Sequence, residues 1–178
     1  MLSELPDHKP IRLKPFNYLG QHFYFVTICT FQRRAIFSDT KLSHWLLSLL
    51  RMESANNSFN VHAFCLMPDH LLAEGIEPTS DPLHFVKILK IESSRQYAAQ
   101  PGGDLWQKRF YDHVLRSLES VEPVAWYIWL NPVRKDLVER PARICVCGFL
   151  YRRKDANGME RVQLLSTMEE TELLRSLI

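Results

Sequence analysis

No stretch of this chain approaches the roughly 20 consecutive apolar residues that a membrane span needs. Residues 1–10 also lack the apolar centre of a secretory signal, so the expectation is a cytoplasmic protein. Cysteine is scarce, and Cys29, Cys65, Cys145 and Cys147 contain no CxxC pair. That argues against a zinc ribbon or a disulfide framework and fits a reducing compartment. Internal repeats and low-complexity segments are absent. What remains is an ordinary globular composition of 178 residues, 46% hydrophobic and 24% charged, long enough for one domain with a sizeable core.

The net charge is a mere +2, but it is unevenly spread. In 155–178, Arg161 and Arg175 stand against Asp155, Glu160, Glu169, Glu170 and Glu172. The tail is therefore acidic and the rest of the chain is more basic than the total suggests. A mild basic bias suits a nucleic-acid partner without requiring one.

Residues 1–20 read as an irregular basic lead-in. Aromatic and β-branched residues predict a strand from Phe23 to Thr30. Asp39 is a candidate cap for a helix whose apolar stripe is Leu42, Trp45, Leu46, Leu49 and Leu50. Val61 to Met67 and His70 to Ile76 read as strands joined at Pro68-Asp69, a hairpin. Asp81-Pro82 opens a helix to about Ala99, with Lys87, Lys90 and Ser94 on one polar face. A fourth strand spans Tyr111 to Leu115, and a helix from about Ser120 to Leu130 is closed by Asn131-Pro132. The apolar run from Ile144 to Tyr151 then leads to the tail, 155–178, expected to be helical. The order β-α-β-β-α-β-α predicts an α+β domain over 21–154, an antiparallel sheet with helices packed on one face.

Two segments can carry chemistry. On a wheel of about 100° per residue, Val121, Val124, Ala125 and Ile128 make one apolar stripe. Tyr127 and Asn131 lie roughly 40° apart at its edge and about 6 Å apart along the axis, facing one cleft. A neutral phenol is a poor nucleophile, so attack on phosphorus needs deprotonation or a metal that makes the phosphate more electrophilic. An Asn carbonyl is a suitable hard ligand for Mg²⁺ or Mn²⁺. The plainer alternative makes Tyr127 a rim residue and Asn131 a helix-end cap. On the strand after the turn, alternation puts His70, Leu72 and Glu74 on one face. Asp69-His70 also spells an HD dipeptide, but HD phosphohydrolases are all-helical and carry several further ligands.

The stretch holding Trp106, Lys108, Arg109, Tyr111, His113 and Arg116 mixes aromatics with cations. Such a pattern suits a single strand, with rings stacking on bases and cations following phosphates, and it suits a half-buried edge strand equally well. Arg33-Arg34 and Arg134-Lys135 are solvated loop ends or the flanks of a groove. Cys145 and Cys147 share a strand face and read as packing rather than ligation.

Taken together, these residues resemble the HUH single-tyrosine transposases of bacterial insertion sequences, most closely the REP-associated tyrosine transposases. The matching pieces are His22-Phe23-Tyr24-Phe25-Val26-Thr27-Ile28 with Arg33-Arg34, then Leu66-Met67-Pro68-Asp69-His70, then Leu105-Trp106-Gln107 with Tyr111-Asp112-His113. Tyr127-Ile128, Asn131-Pro132-Val133-Arg134 and Leu137-Val138 complete the set, in family order, over roughly residues 11–140. The resemblance implies a ferredoxin-like palm, a divalent metal, a 5′-phosphotyrosine intermediate and recognition of single-stranded or hairpin repeat DNA. It casts Tyr127 as nucleophile, with His70 and Asn131 as metal ligands. Arg33, Arg34, Lys87, Lys90, Trp106, Lys108, Arg109, Arg116 and Arg134 are the candidate DNA contacts.

One departure matters. The family's second histidine would stand at Leu72, which cannot bind a cation. Glu74, on the same face about 7 Å further along, is the candidate substitute. The alternative is a descendant that binds DNA without cutting it. A small RNA-binding domain is the more distant alternative, and it lacks the aromatic strand signatures of that class. Lys135-Asp136 replaces a common Ala-Gly, and Asp tolerates the left-handed conformation that a glycine there would adopt. Monomer and homodimer both stay open.

Overall fold

A computed structural model describes residues 22–56, 59–77, 82–98, 103–115, 121–139, 147–154 and 160–165. The strands are β1 (His22–Cys29), β2 (Asn60–Met67), β3 (His70–Glu77), β4 (Tyr111–Leu115), β5 (Cys147–Lys154) and β6 (Glu160–Leu165). The helices are α1 (Thr40–Asn56), α2 (Pro82–Tyr97), α3 (Val121–Trp129) and the short α4 (Asn131–Arg134). The strands form one antiparallel sheet in the order β4-β1-β3-β2-β5-β6. The α+β architecture is thus the expected one.

Strand alternation decides which face each helix covers. Tyr24, Val26 and Ile28 of β1 share a face with Phe64 and Leu66 of β2 and with Leu71 and Ala73 of β3. They meet Leu46, Leu49 and Leu50 of α1 and Phe85, Val86 and Leu89 of α2 in the main core. On the other face Ala63, Cys65, Met67 and Leu72 meet Ile128 and Trp129 of α3. The helices therefore lie on both faces, not on one. The physical reason is that β2 is buried on both sides from Ala63 to Met67, so each side needs a cover. At the start of α1 the capping expectation holds, because Asp39 Oδ1 accepts the Lys41 and Leu42 N–H groups at 2.8 and 3.2 Å.

Two further expectations are corrected. Residues 160–165, assigned to a helical tail, form β6 and pair with β5 from Phe149↔Leu165 to Lys154↔Glu160. Hairpin pairing with the strand just before it overrides the local helical tendency of a polar segment. α3 ends at Trp129, beside the expected end at Leu130, but the chain does not then leave helix for a loop. After one turn residue, Leu130, it re-enters helix as α4 with Pro132 in its first turn, where the missing N–H is tolerated. The lead-in 1–20 and the tail beyond residue 165 lie outside the described residues.

Cys65 and Cys147 oppose each other across β2 and β5, both buried. The hydrogen bond between the two thiols, with burial, pushes the Cys65 thiol far above its usual range. Cys147 is packing, as expected, and Cys145 lies outside the described residues. Among those residues no helix is long and apolar enough to cross a membrane.

Candidate active site

The hairpin turn is clamped from the end of β1. Thr30 is fully buried, and both its backbone N–H and its hydroxyl donate to the Asp69 carbonyl, at 2.9 and 3.0 Å. The Phe37 N–H donates to the Pro68 carbonyl at 2.9 Å. With the turn backbone fixed from outside the hairpin, Asp69 and His70 enter β3 in a set position.

Asp69 then holds two side chains. Its Oδ1 lies 2.6 Å from His70 Nδ1, and its Oδ2 accepts from Arg33 Nη1 at 3.1 Å. Burial opposes ionisation of Asp69, but the bonds and charges of His70 and Arg33 outweigh it and hold the carboxyl below its usual pKa. Burial lowers the His70 pKa against the pull of Asp69, which favours the neutral ring. An ionised Asp69 fixes the proton on Nδ1 and leaves the Nε2 lone pair available to a cation. Arg33 reaches across from a left-handed turn, with φ of 55° at Gln32 and 56° at Arg33. Asp69 and Thr30 are site residues that the sequence reading missed. The adjacency of Asp69 to a candidate metal histidine was the available signal.

The helical side of the site comes from α3 and α4. Ile128 and Trp129 are buried against the sheet, which turns Tyr127 outward at 41% exposure. The Tyr127 ring meets Phe25 edge-on at 6.3 Å, and the Arg134 guanidinium lies 4.7 Å from its centroid. Arg134 is therefore placed at the phenol itself. Asn131 is buried, and its Oδ1 accepts no hydrogen bond among the described residues. A buried carbonyl left without a donor is costly, and it is a suitable ligand for a hard divalent cation. The turn after α4 ends at Asp136 with φ 54°, the left-handed conformation expected there.

The strand position where a second histidine was expected is filled by packing. Leu72 is buried among Met67, Ile128 and Trp129. Glu74 is completely buried, and among the described residues neither carboxylate oxygen has a hydrogen-bond donor. Its Oε1 lies 3.6 Å from His62 Nδ1 on β2. Among the described residues no three His, Cys, Asp or Glu side chains cluster as metal ligands. His70 and Asn131 are the donors that suit Mg²⁺ or Mn²⁺.

The candidate DNA contacts divide. Trp106 belongs to the main core, its Nε1–H donating to Ser93 Oγ at 2.7 Å, and is not open to a base. Lys90 Nζ donates to the carbonyls of Gln107 and Lys108, and Arg34 donates to the Phe31 and Asp104 carbonyls, so both fasten loops. Arg33 serves Asp69. Lys87, Lys108, Arg109 and Arg134 are exposed, and Arg116 lies outside the described residues.

The sheet presents His70 at a hairpin turn, and the helix that packs across it carries Tyr127. The family model for IS200-like transposases matches residues 19–129, and the chain belongs to that family. It is 23% identical over 126 residues to the REP-associated tyrosine transposase of Escherichia coli K12, covering 69% of this chain and 73% of that protein. A Haemophilus influenzae protein provisionally assigned to the same group is 25% identical over 129 residues, 65% of this chain and 73% of its own. The fold matches the structure of a REP-associated tyrosine transposase bound to a REP hairpin, with a TM-score of 0.63, 19% identity and 82% of each chain covered.

Proposed function

We propose that this chain nicks and rejoins single-stranded or hairpin repeat DNA, with Tyr127 as nucleophile. The observation that supports this best is the pairing on one helical segment of an exposed Tyr127 under Arg134 with the orphaned Asn131 oxygen. In the reaction the Tyr127 hydroxyl oxygen bonds to phosphorus while the bond from phosphorus to the 3′-oxygen breaks. A 5′-phosphotyrosine and a free 3′-hydroxyl result, and the phenol proton ends on the leaving oxygen. Arg134, over the Tyr127 ring, would supply positive charge to the phosphate under attack. His70, held by Asp69, and Asn131 would bind a divalent metal, which when bound makes the phosphate more electrophilic. Rejoining is the same step reversed by another 3′-hydroxyl.

Leu72 favours a second reading, a protein that grips the same DNA and does not cut it. The two are separated by incubating the protein with hairpin-bearing single-stranded DNA, drawn from repeats flanking the gene, and Mn²⁺ or Mg²⁺. A denaturant-stable adduct that Tyr127→Phe abolishes is the expected result. Binding without an adduct at any metal concentration establishes the second reading.

A further inference from the structure

α3 covers only part of its face of the sheet. It packs chiefly on β2, β3 and β5 and reaches β1 at Phe25, so the edge strand β4 lies at the margin of what it covers. That margin begins beside the nucleophile of the proposed reaction. Phe25 is half-buried there and is met edge-on by Tyr127 from the helix and by Tyr111 from β4, each at 6.3 Å. Tyr111 stands opposite Thr27 on the outermost strand, 40% exposed, and His113 beside it is exposed as well. The cations Lys108 and Arg109 stand three and two residues before Tyr111 and are also exposed.

An exposed ring on a rigid strand edge, flanked by cations, fits one partner chemistry: an unpaired nucleobase whose backbone phosphates meet the charges. We infer that Tyr111, backed by Phe25, is the stacking platform for a nucleotide next to the scissile phosphate. Its position next to the scissile phosphate rests on Tyr127 as the reacting residue; the platform itself is a binding site. It also assigns the base-stacking role in the segment 105–113 to Tyr111 rather than to the buried Trp106. The rigidity comes from the β1–β4 ladder, which sets Tyr111 at Thr27 and His113 at Phe25.

The test uses the full chain and a fluorescein-labelled DNA hairpin with a single-stranded overhang, read by anisotropy without cleavage. Tyr111→Ala weakens binding roughly 5- to 150-fold, the range for one stacked base, while Tyr111→Phe keeps wild-type affinity. Scanning an abasic site along the overhang finds one position where wild type falls to the level of Tyr111→Ala and the variant loses nothing more. Equal losses for both proteins at every position would overturn the platform, as would an unchanged Tyr111→Ala. A matched RNA overhang bound more tightly than DNA would overturn the assignment to DNA. If wild type binds hairpin DNA with this Tyr111 dependence but forms no Tyr127 adduct, the platform stands and the nuclease reading fails. If wild type binds no hairpin DNA, both fail.

Discussion

Asp69 Oδ1 lies 2.6 Å from His70 Nδ1, and the same carboxylate takes Arg33 through its other oxygen at 3.1 Å. One short side chain thus ties a strand-opening histidine to a cation 36 residues earlier in the chain. Asp69→Ala frees the imidazole to rotate and to protonate at the other nitrogen. Removing such a partner typically costs 10–100-fold in metal affinity or activity. Titration with Mn²⁺ in the presence of hairpin DNA should show a loss in that range, and a smaller one for Arg33→Ala, whose bond to Asp69 is solvent-exposed. Unchanged Mn²⁺ affinity in Asp69→Ala would remove this role.

Leu72 packs where a second histidine was expected. Leu72→His adds an imidazole on the same strand face as His70 and places a polar ring among Met67, Ile128 and Trp129. Mn²⁺ affinity should rise at least about tenfold, while stability in urea falls by roughly 1–3 kcal/mol, the usual cost of a polar group in an apolar site. Glu74→Gln is the companion variant. Its carboxylate pairs with His62, so its neutralisation should leave Mn²⁺ affinity where it was. A fall in affinity would instead make Glu74 the third ligand.

Trp106 separates packing from recognition. Trp106→Phe loses the bond to Ser93 and part of the contact with Phe37, 5.3 Å away between ring centroids. The expected cost is about 1–3 kcal/mol in denaturant unfolding, with hairpin affinity unchanged wherever the protein is folded. A weaker hairpin affinity at full stability would return Trp106 to the DNA surface.

These residues also mark what could be read without coordinates. Asp39, the α1 stripe, the Pro68-Asp69 turn and the left-handed Asp136 depend on neighbours within a few residues, and each was legible. Tyr127 and Asn131 follow from one helical period, although the re-entry into α4 at Pro132 does not. Trp106 was opaque because the same mixture of rings and cations describes an edge strand and a binding strip. What decides it is Ser93, on α2. The strand at 160–165 forms a hairpin with β5 just before it, and its acidic composition hid that pairing. The second helical face depends on α3 meeting β2 and β3, contacts between distant segments that no local pattern carries.

Gly75 is the position where the sheet leaves no room. It pairs with Val61, and a Cβ built there would fall 2.3 Å from the Asn60 carbonyl oxygen and 2.8 Å from the Phe59 ring. Phe59 cannot yield easily, because it is buried and stacked on Phe85 with centroids 4.6 Å apart. The Asn60 carbonyl is backbone at the start of β2, just before the irregularity between Val61 and Ala63 that carries His62. Gly75→Ala must therefore push β2 from β3 or displace the Phe59–Phe85 stack, either of which falls within the roughly 1–3 kcal/mol of overpacking. In a chain of this size that corresponds to a melting temperature lower by about 2–12 °C. His70 stands at the other end of β3, next to the clamped turn, so Mn²⁺ affinity measured well below the melting point should be unchanged. A Gly75→Ala protein that melts like wild type would mean that β2 enters the sheet differently from the register described.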